Sequence, residues 1–429
     1  MRRRSAAVAI VALLAAPFAR AQTANDTPDP APQTRTTVPA QTDTADRGFG
    51  IFSEPSFITK AINQFNRRAN GSRTPKGGFY VDFGNMITGA GWISGGPGYR
   101  KLLFHENAIA SASAAVSWRL YRMAQASIEF PYVAADHVTF GAQTMFRDAV
   151  QVNYYGLGND SQLANRSGYR LQTNDVSTYA GIGARALSLK ARVGWLQPVR
   201  VLSMERQTTY PDTFALFSER DAPGLIGQPT FLHGDLTASV DTRDSVGHAT
   251  MGGFYQATWS VFADQATGRN TFQRYEADAS HYVPLGSDNW ILALHAAAAL
   301  TSTTSGHEVP FYLMPNLGGR NDRGFADYRF TDRNMQTYSV ESRWRVFAHL
   351  DAAVFADAGS VAPTIRGLRM SELKPSYGVG IRLHNYRTTM ARIDFGHSVE
   401  GWHIYFRMNE PFRRSTQSNG WRTPAPYVP

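Results

Sequence analysis

The sequence predicts an all-β fold, a transmembrane antiparallel β-barrel of about 16 strands with a short amphipathic helix before it. Three observations carry this reading. The chain opens with an export signal. From Gly77 onward, apolar and polar side chains alternate with a period of two. The connections between the alternating segments are by turns long and short.

The N-terminal elements follow in order. Arg2, Arg3 and Arg4 precede an apolar run from Ala6 to Phe18, and Ala19-Arg20-Ala21 supplies small residues at the spacing that signal peptidase reads. Residues 1–21 are therefore expected to be a cleaved signal peptide, too short in its apolar part to cross about 30 Å of hydrocarbon. Residues 22–50 are rich in Pro, Thr, Asp and Gln and poor in large apolar groups, a composition that cannot bury a core and predicts a disordered linker. Residues 51–72 form a short helical segment expected on the periplasmic side. Phe57, Ile58, Ile62 and Phe65 share one face there, Ser53 caps it and Pro55 is tolerated in the first turn.

The barrel is assigned to residues 77–412. In Trp402–Asn409, Trp402, Ile404, Phe406 and Met408 fall on one face and His403, Tyr405, Arg407 and Asn409 on the other. Leu187, Leu189, Ala191, Val193 and Trp195 oppose Ser188, Lys190 and Arg192 in the same way. One face is too polar for a sandwich core and the other too apolar for water. A lipid-facing exterior around a wet interior satisfies both. Segment centres fall near Val81, Leu103, Ser113, Ile128, Phe140, Val176, Lys190, Ala238, Thr258, Ala277, Leu294, Val340, Val354, Val379, Ile393 and Ile404. The long connections, including Gln197–Phe231, Thr301–Asn334 and Ser360–Lys374, alternate with mostly short ones such as Ala184–Leu187 and Asn385–Thr388. Long extracellular loops and short periplasmic turns are the habit of such barrels. A soluble propeller is the competing all-β reading, but the chain shows no blade-length repeat.

Composition narrows the function classes. The chain has no cysteine, so disulfides and thiolate metal sites are absent. Its net charge of +9 falls to +5 once the four signal arginines, Arg2, Arg3, Arg4 and Arg20, are removed. That excess is too small to point to nucleic acid, and outer-membrane lipid is the expected contact. Ser280-His281 and His397-Ser398 are adjacent pairs whose side chains point to opposite strand faces, so neither forms a nucleophile–base pair within its strand. The histidines show no HExxH or similar spacing, and no catalytic, metal or other cofactor site is expected. Trp195, Trp259, Trp290, Trp344 and Trp402 lie on the apolar phase, as interfacial girdle residues do.

Several strings resemble the BamA/TamA superfamily, the bacterial surface antigen barrels, over most of Gly77–Phe412. Tyr155-Gly156-Leu157-Gly158-Asn159-Asp160 is similar to the loop after that family's fifth strand. Asp241-Thr242-Arg243-Asp244 with Gly252-Gly253 resembles its mid-barrel turn. Gly318-Gly319-Arg320-Asn321-Asp322-Arg323-Gly324-Phe325 resembles the tip of a loop that folds into the lumen between the eleventh and twelfth strands. The resemblance implies that Arg323, Gly324 and Phe325 form the tip, with Gly324 permitting a tight turn. It also implies that Glu341 and Asp357 on the next two strands are the wall acids pairing with Arg323. Asp322 departs from the aliphatic residue usual before that arginine. The last strand, with Gly401, Tyr405 and a closing aromatic at Phe412, matches the terminal-strand signal of such barrels, and residues 413–429 follow as a polar tail. No intact POTRA domain fits between Gln22 and the first strand.

By that resemblance, the expected function is insertion, assembly or translocation of client proteins or lipids at the bacterial outer membrane. A separate periplasmic partner would stand in for the POTRA modules. A passive channel or structural barrel is the alternative, and a lipid-modifying enzyme a more remote one.

Overall fold

The computed structural model describes residues 50–56, 58–60, 62, 77–84, 94–134, 137–204, 209–385, 388–408 and 411–412. The expected signal peptide, nearly all of the linker, and the tail after Phe412 lie outside the described residues. Of the expected N-terminal helix, Ser56, Ile58, Thr59, Lys60 and Ile62 are helical, and Ile58 and Ile62 are buried. Phe57 and Phe65, assigned to the same face, lie outside the described residues.

The chain forms a single large sheet of sixteen strands and one small hairpin. The strands are β1 (Gly78–Gly84), β2 (Ser94–Leu103), β3 (Ala108–Ser117), β4 (Arg122–Val133), β5 (Val138–Tyr154), β6 (Ser167–Ala184), β7 (Leu187–Leu202), β8 (Phe231–Asp241) and β9 (Gly252–Asp264). They continue with β10 (Phe272–Leu285), β11 (Ser287–Thr303), β12 (Asn316–Leu317), β13 (Phe330–Thr331), β14 (Asn334–Phe347), β15 (Leu350–Ala362), β16 (Lys374–His384), β17 (Thr389–Ser398) and β18 (Gly401–Arg407). Every neighbour in the large sheet is antiparallel and consecutive, except that β11 pairs with β14 because β12 and β13 form the hairpin inside the intervening loop. All sixteen expected centres fall within strands of the large sheet, Leu103 on the last residue of β2.

Alternation decides which face meets lipid. Phe140, Val176, Leu189, Val193, Trp195, Leu236, Trp259, Trp290, Val340, Val379, Ile393, Trp402 and Ile404 are exposed, although most lie within paired strands. The opposite phase buries Arg343, Glu341, Asp357, Arg382, Arg392 and Asp394. This inverts the soluble pattern, since charges are inside and apolar groups outside, which is stable when the outer solvent is hydrocarbon. No helix among the described residues is long and apolar enough to cross a membrane.

The sheet curls on itself. The turn 242–251 between β8 and β9 reaches Thr388, just before β17, where Thr389 N–H donates to the Gly247 carbonyl at 2.7 Å. At the long-loop end, Tyr154, Tyr169, Phe231, Phe262, Phe272 and Phe311 pack into one apolar cap. Among the described residues no ladder joins β1 to β18.

Candidate functional site

The loop 304–333 between β11 and β14 has two halves. Its first half carries Val309–Met314 into the aromatic cap. Its second half runs along the inner wall, closed at its root by the β12–β13 pairing of Asn316 with Thr331 and Leu317 with Phe330. The Gly158 N–H donates to the Thr331 carbonyl at 2.9 Å, which ties this root to the Tyr155–Asp160 loop after β5.

Arg323, at the tip, is 3% exposed. Its Nε and Nη2 donate to the two oxygens of Asp357, each at 2.8 Å, and its backbone N–H donates to the same carboxylate at 3.0 Å. Nη1 donates to Glu341 and Nη2 to the Ser339 hydroxyl at 3.1 Å. The Phe355 ring lies 3.5 Å below the guanidinium carbon. A planar fork of five donors is the side chain suited to this many fixed acceptors. The expected partners Glu341 and Asp357 are thus both in contact with Arg323, from β14 and β15.

Glu341 also accepts from Arg343 at 2.8 Å and from Arg382 at 2.9 Å. Arg382 in turn reaches Asp394 at 2.6 Å, and Arg392 donates to the same carboxylate. Four guanidiniums therefore share three carboxylates in a place closed to bulk water. Taking one carboxylate away would leave several buried cations short of a partner, a far larger cost than losing a surface pair. Sequence reasoning missed Arg382, Asp394, Arg343 and Ser339. Their signal was present: each is polar and lies on the inward phase of β14, β16 or β17.

Gly324 is required for a reason other than the expected one. Its φ is not in the left-handed region. A Cβ there would run into Ser376, while a Cβ on Gly396 of β17 would run into the Arg323 carbonyl. Both glycines let the tip backbone lie flat on the wall. Phe325 is fully buried among Ala299, Leu317, Phe330, Met335 and Val361, edge-on to Phe330 at 5.3 Å.

Asp322 occupies the position where the resemblance implies an aliphatic residue. It is buried, accepts from the Ser376 hydroxyl, and leaves Oδ2 without a partner. Burial, reinforced by the neighbouring Asp357 carboxylate, pushes its pKa up to about 8. A neutral acid at pH 7 takes the place of the apolar group.

The terminal-strand residues divide. Tyr405 points inward, and its hydroxyl donates to the Phe325 carbonyl at 2.5 Å, so the last strand holds the loop tip. Gly401 opens β18 at φ +103, on the tight turn from β17. Phe412 is a correction. It does not close the last strand: β18 ends at Arg407, and Phe412 lies inside, stacked on His295 of β11 at 4.8 Å and packed against Tyr282, Ile291 and Ala293. Pro411 cannot donate to a ladder, and the inner aromatic surface offers the ring burial that the lipid face would otherwise give.

The loop root has a second anchor that the sequence did not reveal. Arg329 pairs with Glu400 in the β17–β18 turn at 2.8 Å and donates to the Ser161 hydroxyl and carbonyl at 2.9 and 2.7 Å. Arg407 of β18 reaches Asp327 at 3.1 Å. Of groups able to hold a metal ion, the described residues bring His248, Asp351 and His384 together at the opposite, short-turn end of the lumen.

The Omp85 superfamily domain matches residues 103–400. Similar solved structures include BamA from Haemophilus ducreyi lacking POTRA domains 1-3, with a TM-score of 0.57 and 17% identity, covering 78% of this chain and 70% of that one. CdiB from Escherichia coli gives a TM-score of 0.50 and 12% identity, covering 79% of this chain and 63% of that one. At such identities the likeness is one of fold. No curated protein matches the sequence. A family match across most of the chain, on a barrel of the same fold, places this protein in the Omp85 superfamily.

Proposed function

We propose that this protein inserts, assembles or translocates client proteins or lipids at the bacterial outer membrane, and that clients enter at the seam between β1 and β18. One observation carries the reading. The lumen is occupied by a loop locked to its wall, while the last strand of the large sheet, β18, is short, seven residues against 18 in β6. A barrel built to pass solutes through its centre would gain nothing from that plug. A barrel that opens sideways would keep its centre shut and its seam weak. Superfamily membership supports the same reading. A separate periplasmic protein would deliver the client, and the role is that of a conduit, with no catalytic step.

Depletion of the protein followed by quantitative outer-membrane proteomics and lipid analysis tests it. Selective loss of particular barrels or surface lipids before general envelope stress is the expected result. An unchanged envelope would move the role to a channel. Steady conductance in planar bilayers that does not change when residues 304–333 are deleted would say the same, and lipase activity of the refolded protein would revive the enzyme reading.

A further inference from the structure

On the outward phase of β4 to β7, the apolar surface ends in a row of polar and charged side chains. Arg122 pairs in register with Asp148, Asp148 with Gln172, and Gln172 with Arg200. Arg170 adds a third guanidinium on the same phase of β6, two residues from Gln172. Nearer the short-turn end, the same phase exposes Phe146, Val176 and Trp195. Lower still, Phe130 and Phe140 stack with their centroids 4.8 Å apart. From Phe140 to Asp148, about 3.4 Å per residue at a tilt near 40° gives a rise of about 21 Å. The apolar band of such a barrel is about 25 Å tall, so the row stands at its long-loop margin.

Arginine on the lipid phase is costly at mid-membrane and tolerated at the interface, so the row marks where headgroups begin. Trp118 stands at the same margin, 87% exposed in the turn between β3 and β4, and tryptophan gathers at that boundary. Within the row, Asp148 is buried although it lies on the outward phase. Arg170 donates to both its oxygens, at 2.8 and 2.7 Å, and Arg122 stands 3.5 Å away. This carboxylate fixes the guanidinium of Arg170 and offsets one of the three positive charges. Among the described residues, no carboxylate lies within ion-pair distance of Arg200. Arg122 and Arg200 are exposed and Arg170 is half-buried, so the excess charge faces outward. Three inter-strand spacings separate Arg122 from Arg200, about 14 Å.

We infer that Arg122, Arg170 and Arg200 bind the phosphates of an anionic outer-leaflet lipid, whose acyl chains lie on Phe146, Val176 and Trp195. Guanidiniums recognise phosphate through paired N–H donors, and the exposed apolar groups below accept the chains. The width of the row suits a headgroup with more than one phosphate. The bound lipid fixes the height of this wall in the membrane. Neither the lumenal cluster nor the β1–β18 seam takes part, so the site stands apart from the client-handling role.

The test titrates the folded protein in detergent micelles with diphosphorylated lipid A and counts bound lipid by native mass spectrometry. Saturable binding is expected, at least about tenfold tighter than that of zwitterionic phosphatidylethanolamine. Arg122→Gln and Arg200→Gln, both at exposed positions, should each weaken it about fivefold, and the double variant about 25-fold. Arg366→Gln, exposed on the loop between β15 and β16, should leave it unchanged. Heat-modifiable gel mobility reports whether each variant folds. Should one not fold, competition on the unaltered protein decides, and removing both phosphates from the lipid should abolish its binding. Equal binding of lipid A and phosphatidylethanolamine, binding indifferent to both substitutions, or full retention of the dephosphorylated lipid would overturn the proposal. Displacement of lipid A by an equal concentration of inorganic phosphate would do so too, because the row would then be a site for free anions.

Discussion

The two ends of the sheet are held in opposite ways. On the β14–β18 side, the inner wall is tied to the loop tip by Arg323 with Glu341 and Asp357, by Tyr405 with the Phe325 carbonyl, and by Arg329 with Glu400. On the β1–β2 side the ladder sets Tyr80, Val81, Asp82 and Phe83 opposite Gly98, Pro97, Gly96 and Gly95. Proline lacks a ladder donor, and glycine gives the least to a strand. Phe79 is 87% exposed. The difference teaches where a seam of this kind would yield: the last strand stays with the plug, and the first hairpin moves.

Substitutions break or sharpen that contrast. The largest effect is expected of Arg323→Ala, which leaves the buried Asp357 carboxylate without its cation at a cost of about 3–5 kcal/mol. The temperature at which the folded gel band disappears should drop, and residues 304–333 should become open to protease. Arg320→Ala, on the same loop and half-buried, should do much less. If the two variants behaved alike, the cluster would not be what holds the plug.

Gly396→Ala should come next. Its Cβ would push the Arg323 carbonyl off β17, an overpacking cost of about 1–3 kcal/mol. Tyr405→Phe removes a single hydrogen bond, worth about 1 kcal/mol, but it should loosen β18 in particular. Thermal melts rank the two, and hydrogen exchange shows where each acts.

The smallest effect is a pH dependence. Asp322 in the folded protein holds its proton to about pH 8, whereas an unfolded aspartate loses it near pH 4. The folded state therefore binds the extra proton between those values, and stability falls as pH rises from about 4 to about 8. Asp322→Asn should flatten that decline and make the protein the more stable of the two at pH 9. Parallel melts from pH 5 to pH 9 check it. Identical slopes would show that Asp322 is ionised in place.

Much of this architecture is legible in the sequence because a strand's period is two and the membrane demands opposite chemistry on its two faces. Trp402, Ile404, Tyr405 and Arg407 take their sides from alternation alone. The contact of Arg323 with Glu341 and Asp357 was legible through family resemblance and the inward phase of both acids. The rest depends on how loops and turns fold inward, which periodicity does not encode. Phe412 fits the pattern of a closing aromatic until Pro411 and the ring of His295 turn it inside. Gly324 looks like a turn residue until the close approach of Ser376 is known. Sequence spacing gave no reason to expect His248 beside Asp351 and His384, because they meet only through the folding of a turn from across the sheet.

Hydrogen exchange resolved to single segments, on the protein in lipid nanodiscs, tests the asymmetry most directly. Amides of Gly78–Gly84 and Ser94–Leu103 should exchange at least about tenfold faster than those of Thr389–Arg407, the expected difference between a strand pair opening locally and one held by the plug. Arg323→Ala should bring the second set toward the first. Equal protection in the unaltered protein, or a last strand that exchanges faster than the first hairpin, would contradict the account.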